Sequence, residues 1–156
     1  MDIILNVSLA DVLATVARKT TYMGGKRQDN PKMEDPAALD RIATVDEDDE
    51  ELRSFFDECR VEVAQLFSGA LLGEGIDSTT GIYSLSLKVY DDFNTALLPA
   101  MEYSLKSYFI EGLLARWYMY VDPQEAALHS QSATLQLNEL RKATIQRAFE
   151  RKMFPY

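Results

Sequence analysis

The segment Tyr83-Ser84-Leu85-Ser86-Leu87-Lys88-Val89-Tyr90 alternates apolar and polar residues with period two, whereas nearly every other periodic stretch of the chain repeats at helical spacing. A strand must pair its backbone N–H and C=O groups somewhere. The other short stretch suited to pairing is Ile3-Ile4-Leu5-Asn6-Val7. Two arrangements follow. Either these segments pair within the chain, or the partner strand comes from a neighbouring subunit and the protein is a piece of an assembly. No catalytic constellation stands out, so function rests on architecture.

The remaining patterns predict a mainly α single domain over 1–156, a bundle of about four helices with one short β element near 82–90. An N-terminal helix within 1–22 starts at Ser8, which can cap it, and carries Leu9, Val12, Leu13 and Val16 at i, i+3, i+4, i+7. Its pattern fades at Thr20-Thr21, and Gly24-Gly25 is expected to end it. Residues 23–45 read as a polar loop with a short helix opened by Asp35-Pro36. A helix over 46–72 opens on a Thr44/Glu47 capping box and the acids Asp46 to Glu51, which suit the positive end of the helix dipole. Leu52, Phe55, Phe56, Cys59, Val63, Leu66, Phe67 and Ala70 form its stripe, and Gly73 and Gly75 are expected to terminate it. A turn-rich link leads to the strand.

A helix over 94–121 holds Pro99 in its first turn and points Leu98, Met101, Leu105, Tyr108, Phe109, Leu113, Trp117 and Tyr120 to one broad side, as befits a central helix. Tyr118 falls off that stripe, which places it on the surface or in an interface. The last helix, 122–150, has Asp122 as cap, Pro123 at the first position and Glu125 to complete the box. Ala126, Ser130, Ala133, Leu137, Leu140 and Thr144 make a small-residue stripe for close packing. Leu128, Leu135, Ile145 and Phe149 lie opposite, so this helix has apolar residues on two faces and a second partner is expected for it. The ending Arg151-Lys152-Met153-Phe154-Pro155-Tyr156 reads as a docking tail over 151–156.

Composition narrows the function classes. A formal net charge of −9 argues against a protein that coats nucleic acid by neutralising phosphates, though not against a wall that DNA slides past. One cysteine excludes an internal disulfide, no basic n-region of a secretory signal opens the chain, and no apolar run is long enough to span a membrane. The run Asp46–Glu51 points in all directions round a helix and lacks the spacing of a calcium loop. Glu125 and His129 stand at i, i+4, but a di-iron bundle needs a second such pair and the chain has one histidine. Cys59 lies among apolar residues, as a buried structural cysteine does, rather than beside a base. Gly24-Gly25-Lys26 has no P-loop spacing. The aromatic set Phe109, Trp117, Tyr118 and Tyr120 sits at core spacing. Arg141, Lys142, Arg147, Arg151 and Lys152 form the one basic region, suited to a helix C-terminus or, in a functional reading, to an acidic partner surface or nucleic acid. Catalytic residues, cofactors and metals are therefore expected to be absent.

Taken in order, an acid-capped helix (Asp46-Glu47-Asp48-Asp49-Glu50-Glu51-Leu52, then Phe55, Phe56, Val63, Leu66), a β element, a long helix entered through Pro99 and a last helix with a basic tail resemble the head–tail connector, or neck adaptor, proteins of tailed bacteriophages. The stretch Val12 to Tyr22 and the ending Arg-Lys-Met-Phe-Pro-Tyr are also similar to small structural proteins of gut-bacterial phages. The resemblance covers residues 44–156. It implies a non-enzymatic virion subunit assembled in the bacterial cytoplasm. Copies would form a ring beneath the portal, extend the DNA channel and carry the tail, with only non-specific proximity to DNA. The strand residues Tyr83, Leu85, Leu87 and Val89 would then join a neighbouring subunit by strand addition. The tail, with Arg151, Phe154 and Tyr156, would dock on portal or tail protein. Leu128, Leu135, Ile145 and Phe149 complete the candidate interface. The alternatives are a cytoplasmic helical-bundle interaction module with no virion role, and a small enzyme using Cys59 or carboxylates.

Overall fold

A computed structural model describes residues 1–28 and 48–145, with the backbone alone for 24–28. In chain order the elements are β1 (Asp2–Ser8), α1 (Leu9–Gln28), α2 (Asp49–Leu66), β2 (Leu71–Ile76), β3 (Ile82–Lys88), a 3-10 turn (Thr95–Leu97), α3 (Leu98–Tyr118) and α4 (Pro123–Thr144). The fold is mainly helical with one small antiparallel sheet, as the sequence pattern predicts.

The strand pairs within the chain, and on both sides. The sheet order is β1-β3-β2, with Leu5 opposite Leu85 on one side and Ile76 opposite Tyr83 on the other. Ile3, Leu5 and Val7 share the helix-facing side with Tyr83, Leu85 and Leu87, and all six are buried. The expectation that Tyr83, Leu85 and Leu87 join a neighbouring subunit is thus corrected. β3 is the central strand, so it has no free edge, and its apolar side chains fill the chain's own core. Val89 is half-buried against the same core.

β2 was not legible as a strand. The helix expected over 46–72 stops at Leu66, and Phe67 to Ala70 turn the chain, with the Ala70 N–H donating to the Phe67 carbonyl at 2.9 Å. Leu71 and Ile76 then pair with Leu87 and Tyr83, with an irregularity between Leu71 and Gly73. The hairpin to β3 is closed by Asp77, whose side chain accepts from the Thr79 N–H at 2.8 Å, and by Gly81 at φ 68, a left-handed conformation that favours glycine.

Two helix starts follow their local signals. The Asn94 side chain accepts from the Ala96 N–H, and Pro99 sits in the first turn of α3. Asp122 Oδ1 accepts from the N–H groups of Gln124 and Glu125 at 3.1 and 3.3 Å, with Pro123 opening α4. The weaker start at Ser8 places its Oγ 3.4 Å from the Asp11 N–H. α1 continues past Gly24-Gly25 to Gln28. Thr20, where the apolar pattern fades, is buried because its hydroxyl bonds the carbonyls of Val16 and Ala17 in the preceding turn. The Thr44/Glu47 capping box and the short helix after Asp35 lie outside the described residues.

α3 is central, as expected. Met101, Leu105, Tyr108, Phe109, Ile110, Gly112, Leu113, Leu114, Ala115 and Tyr118 are buried and cover its circumference rather than one stripe. Tyr118 is therefore in the core, contrary to its off-stripe position, while Tyr120, past the helix end, is 83% exposed. Phe56 stacks on Phe109 at 4.4 Å between centroids, and Tyr83 meets both edge-on at 5.8 and 5.1 Å. This cluster ties α2, α3 and the sheet together.

α2 and α3 touch through a glycine. A Cβ on Gly112 would stand 2.8 Å from the Sγ of Cys59. Neither residue can grow without displacing a buried neighbour, so Cys59 is a packing residue. Replacing Gly112→Ala is expected to cost about 1–3 kcal/mol of stability in urea unfolding, as overpacked sites do. Adding Cys59→Ala should recover part of that loss by removing the sulfur. A Gly112→Ala variant as stable as the parent would contradict this packing.

Candidate interaction surface

α4 has two working sides. Ala126, Ala133 and Leu140 are buried on α3, so the small-residue stripe packs as its composition suggests, although Ser130 of that stripe is exposed. Outward, Leu128 and Leu135 are 59% and 58% exposed, two turns apart on one face. Between Ala126 and Asn138 the helix carries no Asp, Glu, Lys or Arg, in a chain of 156 residues with 41 of them (16 Lys and Arg plus 25 Asp and Glu). Ala127, Leu128, Ser130, Gln131, Thr134, Leu135 and Asn138 are all exposed. At 100° per residue they sweep a continuous sector of the helix. An exposed, uncharged helix face on a highly charged protein shares with interface cores their depletion of charge.

Beside this face runs a groove of about 800 Å³ between α2, α3 and α4. Ala127, Ser130 and Thr134 form one wall, with Phe55 and Arg116 among the other lining residues. Arg116 crosses between helices: its Nε donates to Glu58 and a terminal nitrogen to Glu62, both at 2.8 Å, and the other terminal nitrogen reaches the Gly112 carbonyl at 3.2 Å. The Tyr108 hydroxyl donates to Glu62 at 2.6 Å, and burial pushes its pKa up. Burial likewise pushes the Cys59 thiol up to about 12, which leaves it protonated and without nucleophilic character at neutral pH.

On the other flank of α4, His129 stacks on Tyr118 with centroids 5.4 Å apart. Its Nδ1 lies 2.5 Å from Glu111 and its Nε2 3.8 Å from Glu125. Since a carboxylate only accepts, Nδ1–H donates to Glu111. Lys19 of α1 stands 3.6 Å from the same carboxylate, so Glu111 fastens α1 and α4 to α3. No group of acids, histidine and cysteine that could hold a metal occurs among the described residues.

Ile145 is exposed, and it follows the last turn of α4, where Arg141 and Lys142 are exposed and Lys142 stands 3.5 Å from Glu139. Phe149, Arg151, Phe154 and Tyr156, with Arg147 and Lys152, lie outside the described residues. The expected interface set therefore splits: Tyr83, Leu85 and Leu87 belong to the core, while Leu128, Leu135 and Ile145 are on the surface. Sequence reading missed the Glu111 clamp because its partners come from two other helices, α1 and α4. It also passed over the charge gap from Ala126 to Asn138, a signal that was present. No helix among the described residues is long and apolar enough to cross a membrane. No protein-family model, curated protein or solved structure matches the chain.

The clamp has a pH signature. Burial alone would raise the Glu111 pKa, but the bond to His129 and the charges of His129 and Lys19 outweigh it and hold the carboxyl below the usual 4.5. A group depressed in the folded state contributes stability above its unfolded pKa and loses it as pH falls through the folded value. Glu111→Gln is therefore expected to lower the unfolding midpoint at neutral pH and to flatten the decline between about pH 5 and pH 3. Parallel stability–pH curves for parent and variant would show that Glu111 is no clamp.

Proposed function

We propose that this chain is a non-enzymatic structural subunit that assembles with copies of itself into a ring, serving as a connector or adaptor between the portal and the tail of a tailed bacteriophage. The observation that carries the reading is the uncharged exposed face of α4, with Leu128 and Leu135 at its outer side and the groove beside Ala127 and Thr134. A single copy has nothing among its described residues to cover that face. Where one surface of a subunit meets a different surface of the next, the contacts close into a ring when the rotation allows it. The net charge of −9 suits a channel wall along which DNA slides without being held. The order of a helix with an acidic first turn, β element, proline-entered helix and last helix supports the phage assignment through its resemblance to neck proteins.

Peptide mass spectrometry on density-purified, DNA-filled particles, quantified against the portal protein, tests the reading. Recovery near portal copy number is the expected result. Absence from filled particles would sink the virion role and leave a helical interaction module.

A further inference from the structure

The two edges of the sheet differ. In the antiparallel ladder the Asp77 N–H donates to the Ile82 carbonyl at 3.0 Å, which makes Asp77 and Ile82 a hydrogen-bonded position. Bonded and non-bonded positions alternate along the pair. Gly75, opposite Ser84, is then bonded to β3, while Glu74 and Ile76, opposite Leu85 and Tyr83, turn their backbone N–H and C=O groups away from it. The Lys88 N–H bond to the Ala70 carbonyl fits the same alternation on the far side of the irregularity. The same logic turns the Asn6 backbone out of the opposite edge, and there its N–H is taken by the Glu102 carboxylate at 3.2 Å. The β1 edge is thus partly closed by α3.

The β2 edge has no such cover among the described residues, and β3 is its one strand partner. Native sheets blunt exposed edges with lysine, proline, inward-pointing charges or β-bulges. β2 has no lysine or proline, and its irregularity between Leu71 and Gly73 lies at one end, leaving Glu74 to Ile76 in regular register with β3. The β2 sequence is Leu71-Leu72-Gly73-Glu74-Gly75-Ile76, its one charge is bound to Arg60 of α2 at 3.0 and 3.1 Å, and Leu72 is 52% exposed. Nothing stands within 4 Å of where a Cβ would be on Gly73 or Gly75.

We infer that β2 pairs antiparallel with β2 of a second copy of this chain, about a two-fold axis at Gly75. The edge is complementary to itself. With Gly75 opposite Gly75, Glu74 of each copy faces Ile76 of the other, and the outward N–H and C=O groups of both residues find their partners in one register. No glutamate then faces a glutamate, and the strands meet at a residue without a side chain. This contact is isologous and joins copies in pairs. It goes beyond the ring reading and does not depend on it. Alone it gives a dimer.

Sedimentation of the full chain separates the two contacts. Ile76→Pro removes an outward N–H without touching a bond to β3, a position where edge strands accept proline. It is expected to halve the mass of the assembly. Leu128→Glu with Leu135→Glu should break the ring and leave the β2 dimer. An unchanged mass for Ile76→Pro would overturn the strand pairing. An unchanged mass for the α4 double variant would instead overturn the ring joint. Residue-resolved hydrogen exchange on the unmodified chain gives a second reading should the proline variant fail to fold. The amides of Glu74 and Ile76 are expected to be protected at high concentration and to lose protection on dilution. Fast exchange of both at every concentration would also overturn the proposal.

Discussion

The sheet has one apolar side, and covering it organises the molecule. Tyr83, Leu85 and Leu87, with Ile3, Leu5 and Val7 beside them, must leave water together because a period-two strand puts them on one face. Burying each large side chain is worth about 1.5–3 kcal/mol. α3 supplies the cover, and Phe109 stands against both Tyr83 and Phe56. Once α3 lies on the sheet, its remaining sides need cover as well, and α1, α2 and α4 provide it. The second half of α3, from Tyr108 to Tyr118, is buried on most sides for that reason. The close approach at Gly112 and Cys59 and the Glu111 clamp are then consequences of packing three helices round one.

What the sequence disclosed was what short-range chemistry decides. The starts of α3 and α4 depend on Asn94, Pro99, Asp122 and Pro123, each acting within a turn of itself. The alternation of β3 was legible, and so was Ile3–Val7 as its possible partner. β2 was hidden because Leu71 and Leu72 extend the apolar run of the preceding helix, and its glycines resemble a helix stop. Only pairing with β3, a tertiary event, makes it a strand. Tyr118 was misplaced because a one-stripe reading fails for the second half of α3, where buried residues from Tyr108 to Tyr118 point in most directions. Glu111 and His129 are 18 residues apart on different helices, with nothing local to link them.

The surface reverses the usual distribution of charge. The protein carries 41 charged side chains (16 basic plus 25 acidic), yet α4 presents an exposed sector with none. Leaving Leu128 and Leu135 in water gains nothing for a single copy, since the core side of the helix is already served by Ala126, Ala133 and Leu140. The Asp122 cap and the His129–Glu111 contact hold that helix in place from its start and its flank. On the reading proposed above, a face carried by an ordered helix would lose little backbone freedom on contact.

The central claim is that a second copy of this chain covers the outer face of α4. Placing the photo-crosslinker p-benzoylphenylalanine at position 135, irradiating the purified full chain and mapping the adducts by mass spectrometry tests it most directly. The account predicts crosslinked species of two or more chains, with peptides from a second copy attached at position 135. A chain that stays monomeric and crosslinks only within itself would contradict it.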